Sequence, residues 1–362
     1  MATTGAQPAQ GAPDAPFDVF ATYKRLLSED PDLTMPVAAI EALTVGLANT
    51  PSSTVSETLD LVSKLTAQLK RSVANSISLS AGTDLFQQYL ISNMQRRSAR
   101  GDFEHVRGHL VQNGRLFVER AKAARDTIAG FGRHFIRDGS TVLTNGGSRV
   151  VGALLKSAAE SSNGSGRGSI RFRVIYITSS TSGSVEDSES AANIAALRER
   201  DIPVATIPPT AIAYCMDMVT QCFVGAEGVV ENGGVVSRLG TYQMATLAKV
   251  AGKPFYVASE SHKFVRLYPL GQQDLGIEQH IVDFRTAKGP ERNVRQEAQA
   301  ERDEGVADMD GGGALMQKVA GLQCPPGEAV DYTPPQFISG IITESGVLLP
   351  SAVSEELIKI WF

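Results

Sequence analysis

The sequence has few of the residues that build disulfide scaffolds or metal sites. Its 362 residues include three cysteines, Cys215, Cys222 and Cys324, and no C-x-x-C pair. This odd count argues against a disulfide framework, so we interpret the cysteines as reduced thiols of a cytosolic protein. His105 and His109 lie four residues apart but without the H-E-x-x-H order of a zinc site. We therefore expect no metal.

Long apolar runs and an excess of positive charge are also missing. No run approaches the roughly 18 residues that a membrane-spanning helix needs, and no secretion signal is recognisable. The net charge of −5 argues against the broad basic surface of a nucleic-acid binder. We expect a cytoplasmic protein that binds neither a membrane nor, directly, a nucleic acid.

The first part of the chain has a helical pattern. Residues 1–16 contain almost no large apolar side chains and are expected to be disordered. Residues 17–138 carry apolar stripes at three- and four-residue steps, most clearly from Leu59 to Ile77. Thr54 and Glu57 have capping-box spacing just before that stripe. We predict a helical N-terminal domain over 17–138.

The remainder, residues 139–362, alternates short apolar strands with helical patterns. Such alternation implies right-handed crossovers and a mostly parallel sheet covered on both faces. The fold class is therefore α/β, an all-helical domain followed by a Rossmann-like, doubly wound sheet domain. We expect strands at Thr141–Thr144, Phe172–Thr178, Val204–Ile207, Cys222–Val224, Phe255–Ala258 and Ile338–Thr343, and helices at Val150–Ala159, Ile194–Arg200 and Leu239–Val250.

Two segments near the end depart from this alternation. Residues 285–330 are rich in charge, with a glycine triplet and a proline pair, and are expected to form a mobile insertion. From Ser351 onward the pattern predicts a C-terminal helix.

Charge is uneven within the helical domain. Residues 1–60 carry eight acidic and two basic side chains, whereas residues 61–140 carry thirteen basic and six acidic ones. The excess is consistent either with solvated helix faces or with a surface for an anionic partner such as a phosphorylated peptide. On the second interpretation the candidate contact residues are Lys70, Arg71, Arg96 and Arg97.

Three loops are candidates for a phosphate site, because ligands of parallel sheets lie beyond the carboxyl ends of the strands. They are 144–149, 178–183 and 227–234, each rich in small residues. Backbone N–H groups at a helix N-terminus, with a nearby arginine, suit a phosphate. The alternative is that the glycines only make tight turns. The candidate binding residues are Gly146, Gly147, Ser148, Arg149, Asn232, Gly233, Gly234 and Arg238.

Two of these loops carry a resemblance to a known family. The run T-N-G-G-S-R-V-V at 144–151, V-G-A-E-G-V-V-E-N-G-G at 224–234 and K-P-F-Y-V-A-S-E-S at 253–261 resemble the family of regulatory alpha, beta and delta subunits of eukaryotic translation initiation factor 2B. That family also includes sugar-phosphate isomerases such as methylthioribose-1-phosphate isomerase. The similarity extends over nearly all of 17–362, and within the family the sequence looks most like the alpha type.

The resemblance implies that catalytic groups are missing. The related isomerases look as if they use a cysteine in the first loop and an aspartate in an N-G-D turn. The matching positions here are Gly146 and Gly234, which cannot transfer a proton, and each such group contributes about 10²–10⁴-fold. We expect no enzyme activity. The alternative is a phosphosugar (aldose-ketose) isomerase with rearranged groups, for which Glu227 is the nearby carboxylate.

The resemblance also implies a role. It implies a regulatory subunit of the guanine nucleotide exchange complex for initiation factor 2, acting in the integrated stress response. The expected partners are a second copy of the chain, the beta, gamma, delta and epsilon subunits, and initiation factor 2 phosphorylated on its alpha subunit. No cofactor is expected, although a sugar phosphate or nucleotide could occupy the retained pocket. One departure is Ser179–Ser182, where alpha-type members often carry an acidic residue and a proline.

Overall fold

The computed structural model describes residues 17–30, 33–50, 54–97, 103–160, 171–178, 185–279, 281–282, 284–286, 289–290 and 329–361. Its first part contains five helices in the described ranges: α1 (Val19–Glu29), α2 (Met35–Asn49), α3 (Val55–Arg71), α4 (Ile77–Arg97) and α5 (Phe103–Gly132). The expected disorder of residues 1–16 and most of the expected insertion lie outside the described residues.

Local signals explain where these helices begin. Asp18 caps α1, since its carboxylate accepts hydrogen bonds from the N–H groups of Phe20 and Ala21 at 2.9 and 3.0 Å. The hydroxyl of Thr54 accepts from the N–H of Glu57 at 3.2 Å, which supplies one of the two bonds of the predicted capping box. Pro36 lies in the first turn of α2, where a missing N–H costs nothing.

Helix α2 is the centre of the helical core. It contacts α1, α3, α4 and α5, and ten of its fifteen residues are buried. A helix that is apolar all round belongs in a core, because no face of it suits water. The core that it forms with the surrounding helices includes Ile40, Leu43, Leu69 and Leu90.

The second part is built on a seven-stranded sheet in the order β13-β12-β7-β4-β1-β2-β3. All neighbouring strands are parallel except β13, which pairs with β12 in the antiparallel direction. The strands are β1 (Thr141–Asn145), β2 (Arg173–Ile177), β3 (Val204–Ile207), β4 (Gln221–Gly225), β7 (Phe255–Ala258), β12 (Gly340–Thr343) and β13 (Gly346–Leu348). The helices are α6 (Arg149–Glu160), α7 (Val185–Arg198), α8 (Ile212–Cys215), α9 (Thr241–Val250) and α10 (Val353–Trp361).

The predicted architecture, helices followed by a mostly parallel sheet, is confirmed. All six predicted strands are present within one or two residues of the expected bounds. The helix predicted to start at Ile194 starts earlier, at Val185. Apolar strands are easy to recognise here because a sheet covered on both faces must be apolar on both.

A second sheet was not predicted. It has the order β11-β6-β5-β8, formed by β5 (Gly228–Val230), β6 (Val235–Arg238), β8 (Phe264–Val265) and β11 (Val330–Thr333). Strands β5 and β6 form a hairpin, so the prediction that 227–234 is a loop leading into a helix is wrong. A two-stranded pairing of β9 (Arg285–Thr286) with β10 (Gly289–Pro290) completes the described strands.

The two parts pack directly on each other. Helix α5 contacts α6 and β12, and α4 contacts the turn after β7. Close to that turn, the hydroxyl of Thr34 lies 3.4 Å from Nε2 of the buried His262, and the ring of Phe117 lies edge-on to the same imidazole. The helical part therefore covers the carboxyl ends of the central strands.

Replacing Gly82 by alanine tests the close approach of α4 to α2. A Cβ atom at position 82 would lie 2.6 Å from the carbonyl oxygen of Pro36, whereas one at Gly130 in α5 meets nothing within 4 Å. We expect Gly82→Ala to lower the free energy of unfolding by about 1–3 kcal/mol, and the control Gly130→Ala to raise it by up to about 1 kcal/mol. Urea denaturation measures both, and equal effects would contradict this packing.

Candidate functional site

The carboxyl edge of the large sheet carries the first candidate loop. Strand β1 ends at Asn145, and helix α6 begins at Arg149, so Gly146, Gly147 and Ser148 form the whole connection. Gly146 has φ +72°, a left-handed conformation that favours glycine. The loop therefore turns sharply and directs the first N–H groups of α6 toward the end of the sheet.

Ser148 fixes this loop against the neighbouring strand. Its hydroxyl accepts a hydrogen bond from the N–H of Val151 at 3.4 Å, in the manner of a helix cap. The same side chain lies against Gly225 at the end of β4, so closely that any side chain there would collide with it. Ser148 is thus part of the site's framework.

Arg238 joins the first loop to the second sheet. It ends β6, and its Cδ atom lies 3.0 Å from where a Cβ atom on Gly146 would be. The structure therefore brings together two residues that the sequence analysis selected far apart along the chain. We call Gly146, Gly147, Ser148, Arg238 and the N-terminus of α6 the carboxyl-edge site.

Arg149 faces a different partner from the one predicted. One of its guanidinium nitrogens, Nη1, donates to the carbonyl oxygen of Leu33 at 2.9 Å. Its Nε atom lies 4.0 Å from the carboxylate of Glu189. Arg149 thus links α6 to the helical part of the protein. In this arrangement its guanidinium group interacts with both the Leu33 carbonyl oxygen and the Glu189 carboxylate.

The segment Asn232–Gly234 is the turn of the β5–β6 hairpin. The side-chain oxygen of Asn232 accepts from the N–H of Gly234 at 2.9 Å, and its amide nitrogen donates to the hydroxyl of Tyr332 at 2.7 Å. Gly233 has φ +82° and packs against the carbonyl of Pro350. Every one of these contacts shapes the turn.

Gly234 has no room for a side chain. A Cβ atom there would lie 2.5 Å from Cε2 of Tyr332 and 2.9 Å from the carbonyl oxygen of Thr333. The Tyr332 ring is buried and held by Asn232, and the second contact is to backbone. The volume that an aspartate would need is therefore already filled.

Asp331 is a functional candidate that the sequence analysis missed. Its Oδ2 atom accepts hydrogen bonds from the N–H groups of Gly240 at 2.7 Å and Tyr242 at 3.1 Å. It therefore caps α9 from a distant strand, and a carboxylate occupies the helix N-terminus that a phosphate would otherwise favour. Beside it, Asn145 lies within 3.4 Å of the Thr241 hydroxyl.

Burial makes Asp331 titrate near neutral pH. Desolvation of the carboxylate raises its pKa to about 7, and hydrogen bonds from the N–H groups of Tyr242, Gly240 and Thr241 offset only part of this increase. Its second oxygen, Oδ1, is buried and has no hydrogen-bond partner in the part of the chain that the structure describes. Near pH 7 this carboxyl group is therefore present in both its charged and its neutral form.

Buried charges also follow β7. The carboxylate of Glu260 is 1% exposed and lies 3.2 Å from the ammonium group of Lys263. Burial alone would raise the pKa of Glu260, but the charge of Lys263 and nearby hydrogen bonds lower it to about 2. Burial lowers the pKa of His262, so this imidazole is neutral at pH 7.

The candidate residues for an anionic partner are spread over α3 and α4. Lys70 forms an ion pair with Asp84 at 2.7 Å, and Nε of Arg71 donates to the carbonyl oxygen of Ala67 at 3.1 Å. The side chains of Arg96 and Arg97, at the end of α4, lie outside the described residues. The ion pair reduces the charge that Lys70 offers to a partner.

The carboxyl-edge site offers N–H groups and a guanidinium, but the glycine at position 146 has no side chain to transfer a proton. Glu227 precedes β5, and its N–H donates to the carbonyl oxygen of Val236 at 2.8 Å. Among the described residues, no group of three or more His, Cys, Asp or Glu side chains is arranged to hold a metal ion. No helix in the described ranges is both long and apolar enough to span a membrane.

Comparisons with known proteins identify the family of the chain. Residues 28–350 match the model of the Initiation factor 2 subunit family. The chain is 33% identical over 349 residues to "Translation initiation factor eIF2B subunit alpha" of Dictyostelium discoideum, covering 95% of this chain and 97% of that protein. It is 28% identical to "Ribose 1,5-bisphosphate isomerase" of Archaeoglobus fulgidus over 262 residues, or 72% of this chain and 71% of that protein.

Solved structures support the fold. The tetrameric eIF2B-beta2-delta2 complex from C. thermophilum contains a chain that aligns with a TM-score of 0.65 at 18% identity, covering 94% of this chain and 92% of that one. At such low identity the similarity concerns the fold alone, and it extends over both the helical part and the sheet.

Restoring an aspartate at position 234 should destabilise the protein. In Gly234→Asp the new side chain would collide with Tyr332 and with the Thr333 backbone, so we expect a loss of about 1–3 kcal/mol. Gly271→Ala is the control, since the nearest atom to its Cβ lies at 4.0 Å. Chemical denaturation compares the two, and a Gly234→Asp variant as stable as the control would disprove the close packing.

Asp331 should make the stability depend on pH. Its folded pKa of about 7 exceeds the ordinary value of 3.8, so between these pH values the folded state binds more protons than the unfolded state. The free energy of unfolding must then fall as pH rises from 5 to 8, by about 2–3 kcal/mol for this group. We expect Asp331→Asn to abolish that decrease.

The measurement is urea denaturation of both proteins at pH 5, 6, 7 and 8. Other groups contribute equally to the two profiles, so their difference isolates Asp331. Asp217→Asn, which changes an exposed carboxyl group, is the matched control. Parallel profiles for wild type and Asp331→Asn would show that this carboxyl group is not perturbed.

Proposed function

The chain belongs to the Initiation factor 2 subunit family, and we propose that it is a non-catalytic regulatory subunit of the guanine nucleotide exchange complex for translation initiation factor 2. The observation that supports the proposal is that glycine stands at both positions, 146 and 234, where the resemblance implies a reactive side chain. Gly146 contacts the stem of Arg238, and Gly234 is enclosed by Tyr332 and Thr333. Nucleotide exchange itself would belong to another subunit.

We propose that the carboxyl-edge site still binds a sugar phosphate or a nucleotide. The N-terminus of α6 and the guanidinium of Arg238 can both attract a phosphate, and neither depends on the missing acid and base. The capping of α9 by Asp331 makes α6 the better anion site of the two. Of the eight predicted residues, Gly146, Gly147, Ser148 and Arg238 are the ones this proposal retains.

The expected assembly follows from the family. We propose that two copies associate through the sheet domain, and that the dimer joins the beta, gamma, delta and epsilon subunits in the cytoplasm. The helical domain would sense initiation factor 2 phosphorylated on its alpha subunit, as part of the integrated stress response. The excess of basic residues over 61–140 supports this role, because a phosphoryl group favours arginine.

The sensing role is testable with the reconstituted complex. We expect the complex that contains this chain to retain phosphorylated initiation factor 2 more strongly than the unmodified factor, and the complex without the chain to lose that preference. Arg96→Glu combined with Arg97→Glu should weaken the preference by about tenfold or more, since two attractive charges become repulsive. Arg198→Glu is the control, because it makes the same charge reversal at one residue of α7.

Pull-down with quantified bound factor measures the preference. Equal discrimination with and without the chain would refute the sensing role, and an equal effect of Arg198→Glu would refute the assignment to α4.

A further inference from the structure

A groove lies at the opposite edge of the large sheet from the carboxyl-edge site. Its volume is about 680 Å³, within the usual range for small-molecule sites. Ser140, Thr220 and Tyr256 mark it as the amino edge, because each lies within one residue of the first residue of β1, β4 or β7. The strands separate the two edges by about 13–16 Å, so one small ligand cannot occupy both. The lining residues are those of the segment 134–140 except Ile136, with Thr220, Gln221 and Tyr256.

Internal hydrogen bonds hold the walls of this amino-edge groove in place. The Thr220 hydroxyl donates to the carbonyl oxygen of Thr141 and accepts from its N–H, both at 3.0 Å. The amide nitrogen of Gln221 donates to the carbonyl oxygen of Phe135 at 3.1 Å. A groove with such fixed walls is preformed, which lowers the entropic cost of binding.

The groups that point out of these walls carry charge. His134 and Arg137 are exposed, and neither side chain has an ion-pair or hydrogen-bond partner among the described residues. Asp138 accepts from the N–H of Arg171 at 2.7 Å through Oδ1, which leaves Oδ2 available. The groove thus presents two nitrogen donor groups and one carboxylate oxygen.

Phe135 and Tyr256 form the apolar part of its lining and pack against other aromatic rings. The Tyr256 ring lies 5.3 Å from Phe223 in a stacked arrangement and 4.9 Å from Phe135 edge-on. Phe223 therefore covers one face of the Tyr256 ring, and Phe135 packs against the same ring. A flat heterocycle would therefore find little stacking surface here, which argues against a nucleobase.

We propose that the amino-edge groove is a second ligand site, for a small hydroxylated organic anion. Arg137 binds the carboxylate or phosphate of the ligand through paired N–H groups, the geometry that a guanidinium favours. His134 donates a further hydrogen bond, and Oδ2 of Asp138 accepts one from a ligand hydroxyl. This site is independent of the phosphate site proposed at the carboxyl edge, and either one can exist without the other.

The local charge agrees with an anionic ligand. Arg133 lies close to Arg137 in sequence, and Arg171 and Arg173 lie just before and at the start of the adjoining strand β2. Among the described residues that line the groove, Asp138 is the acidic one. The nearest helix end, the C-terminus of α5 at Gly132, carries a partial negative charge. Arg137 together with Arg133, Arg171 and Arg173 outweighs that half charge and the Asp138 carboxylate combined, so the groove attracts anions.

Calorimetry with three probes tests the site. Glycerol 3-phosphate and malate share hydroxyl groups and a negative charge but differ in the anionic group, and uncharged glycerol is the control ligand. We expect wild type to bind at least one of the two anions at millimolar concentrations or below, and not glycerol. Arg137→Gln should weaken that binding by about tenfold or more, since one charge-assisted pair is lost.

Two control variants distinguish the amino-edge site from the phosphate site proposed at the carboxyl edge. Arg120→Gln removes an exposed charge from α5 away from the groove, and Arg238→Gln alters only the carboxyl-edge site. Both should leave binding at the groove unchanged, and Arg137→Gln should keep the wild-type melting temperature because its side chain is exposed. Loss of anion binding in Arg238→Gln but not in Arg137→Gln, or no binding of either anion to wild type, would overturn the amino-edge site.

Discussion

Close contacts of glycine with neighbouring side chains and backbone limit the side chains that two positions can accept, Gly146 at the carboxyl edge of the large sheet and Gly234 in the turn of the β5–β6 hairpin. At Gly234, the Tyr332 ring and the Thr333 carbonyl fill the space of a side chain, and at Gly146 the stem of Arg238 does so. The Tyr332 ring and the Thr333 backbone cannot be displaced cheaply in a packed interior, whereas the flexible Arg238 side chain would have to shift by only a few tenths of an ångström. A side chain at position 234 would therefore require the surrounding residues to move.

The helical part of the protein is attached at the carboxyl edge of the large sheet. Arg149 donates to the backbone of Leu33 at 2.9 Å, and Thr34 meets the buried His262. Arg149 directly follows the loop that cradles a phosphate in our proposal. The proposed phosphate loop and the contacts that hold the helical domain are thus adjacent in the structure. A regulatory subunit that couples ligand binding to the position of this domain needs such an arrangement.

Periodic apolar patterns account for most of what could be predicted. They identified the helical domain and the six predicted strands of the large sheet, because burial on one face or two leaves a local signature. The hairpin of β5 and β6 was missed, since its glycine-rich turn has the composition of a loop. The partner of β6 is β11, about ninety residues later, and no local pattern shows such a pairing.

The sequence also identified some residues of the candidate site, but not the long-range contacts that those residues make. Gly146 and Arg238 were selected separately and are neighbours in the structure. Arg149 was assigned to a phosphate, but its acceptor, the carbonyl oxygen of Leu33, is 116 positions away. Asp331 was overlooked for the same reason, because the N–H of Gly240 that it binds is 91 positions away. Long-range hydrogen bonds to backbone depend on the folded path of the chain and have no sequence signature.

The most direct test of the central claim is the rate of isomerisation of ribose 1,5-bisphosphate by the purified chain. The account predicts that the substrate is not converted above the uncatalysed rate, because no side chain at positions 146 and 234 can move a proton. Turnover that disappears in Glu227→Gln would contradict the account and would establish an isomerase with rearranged catalytic groups.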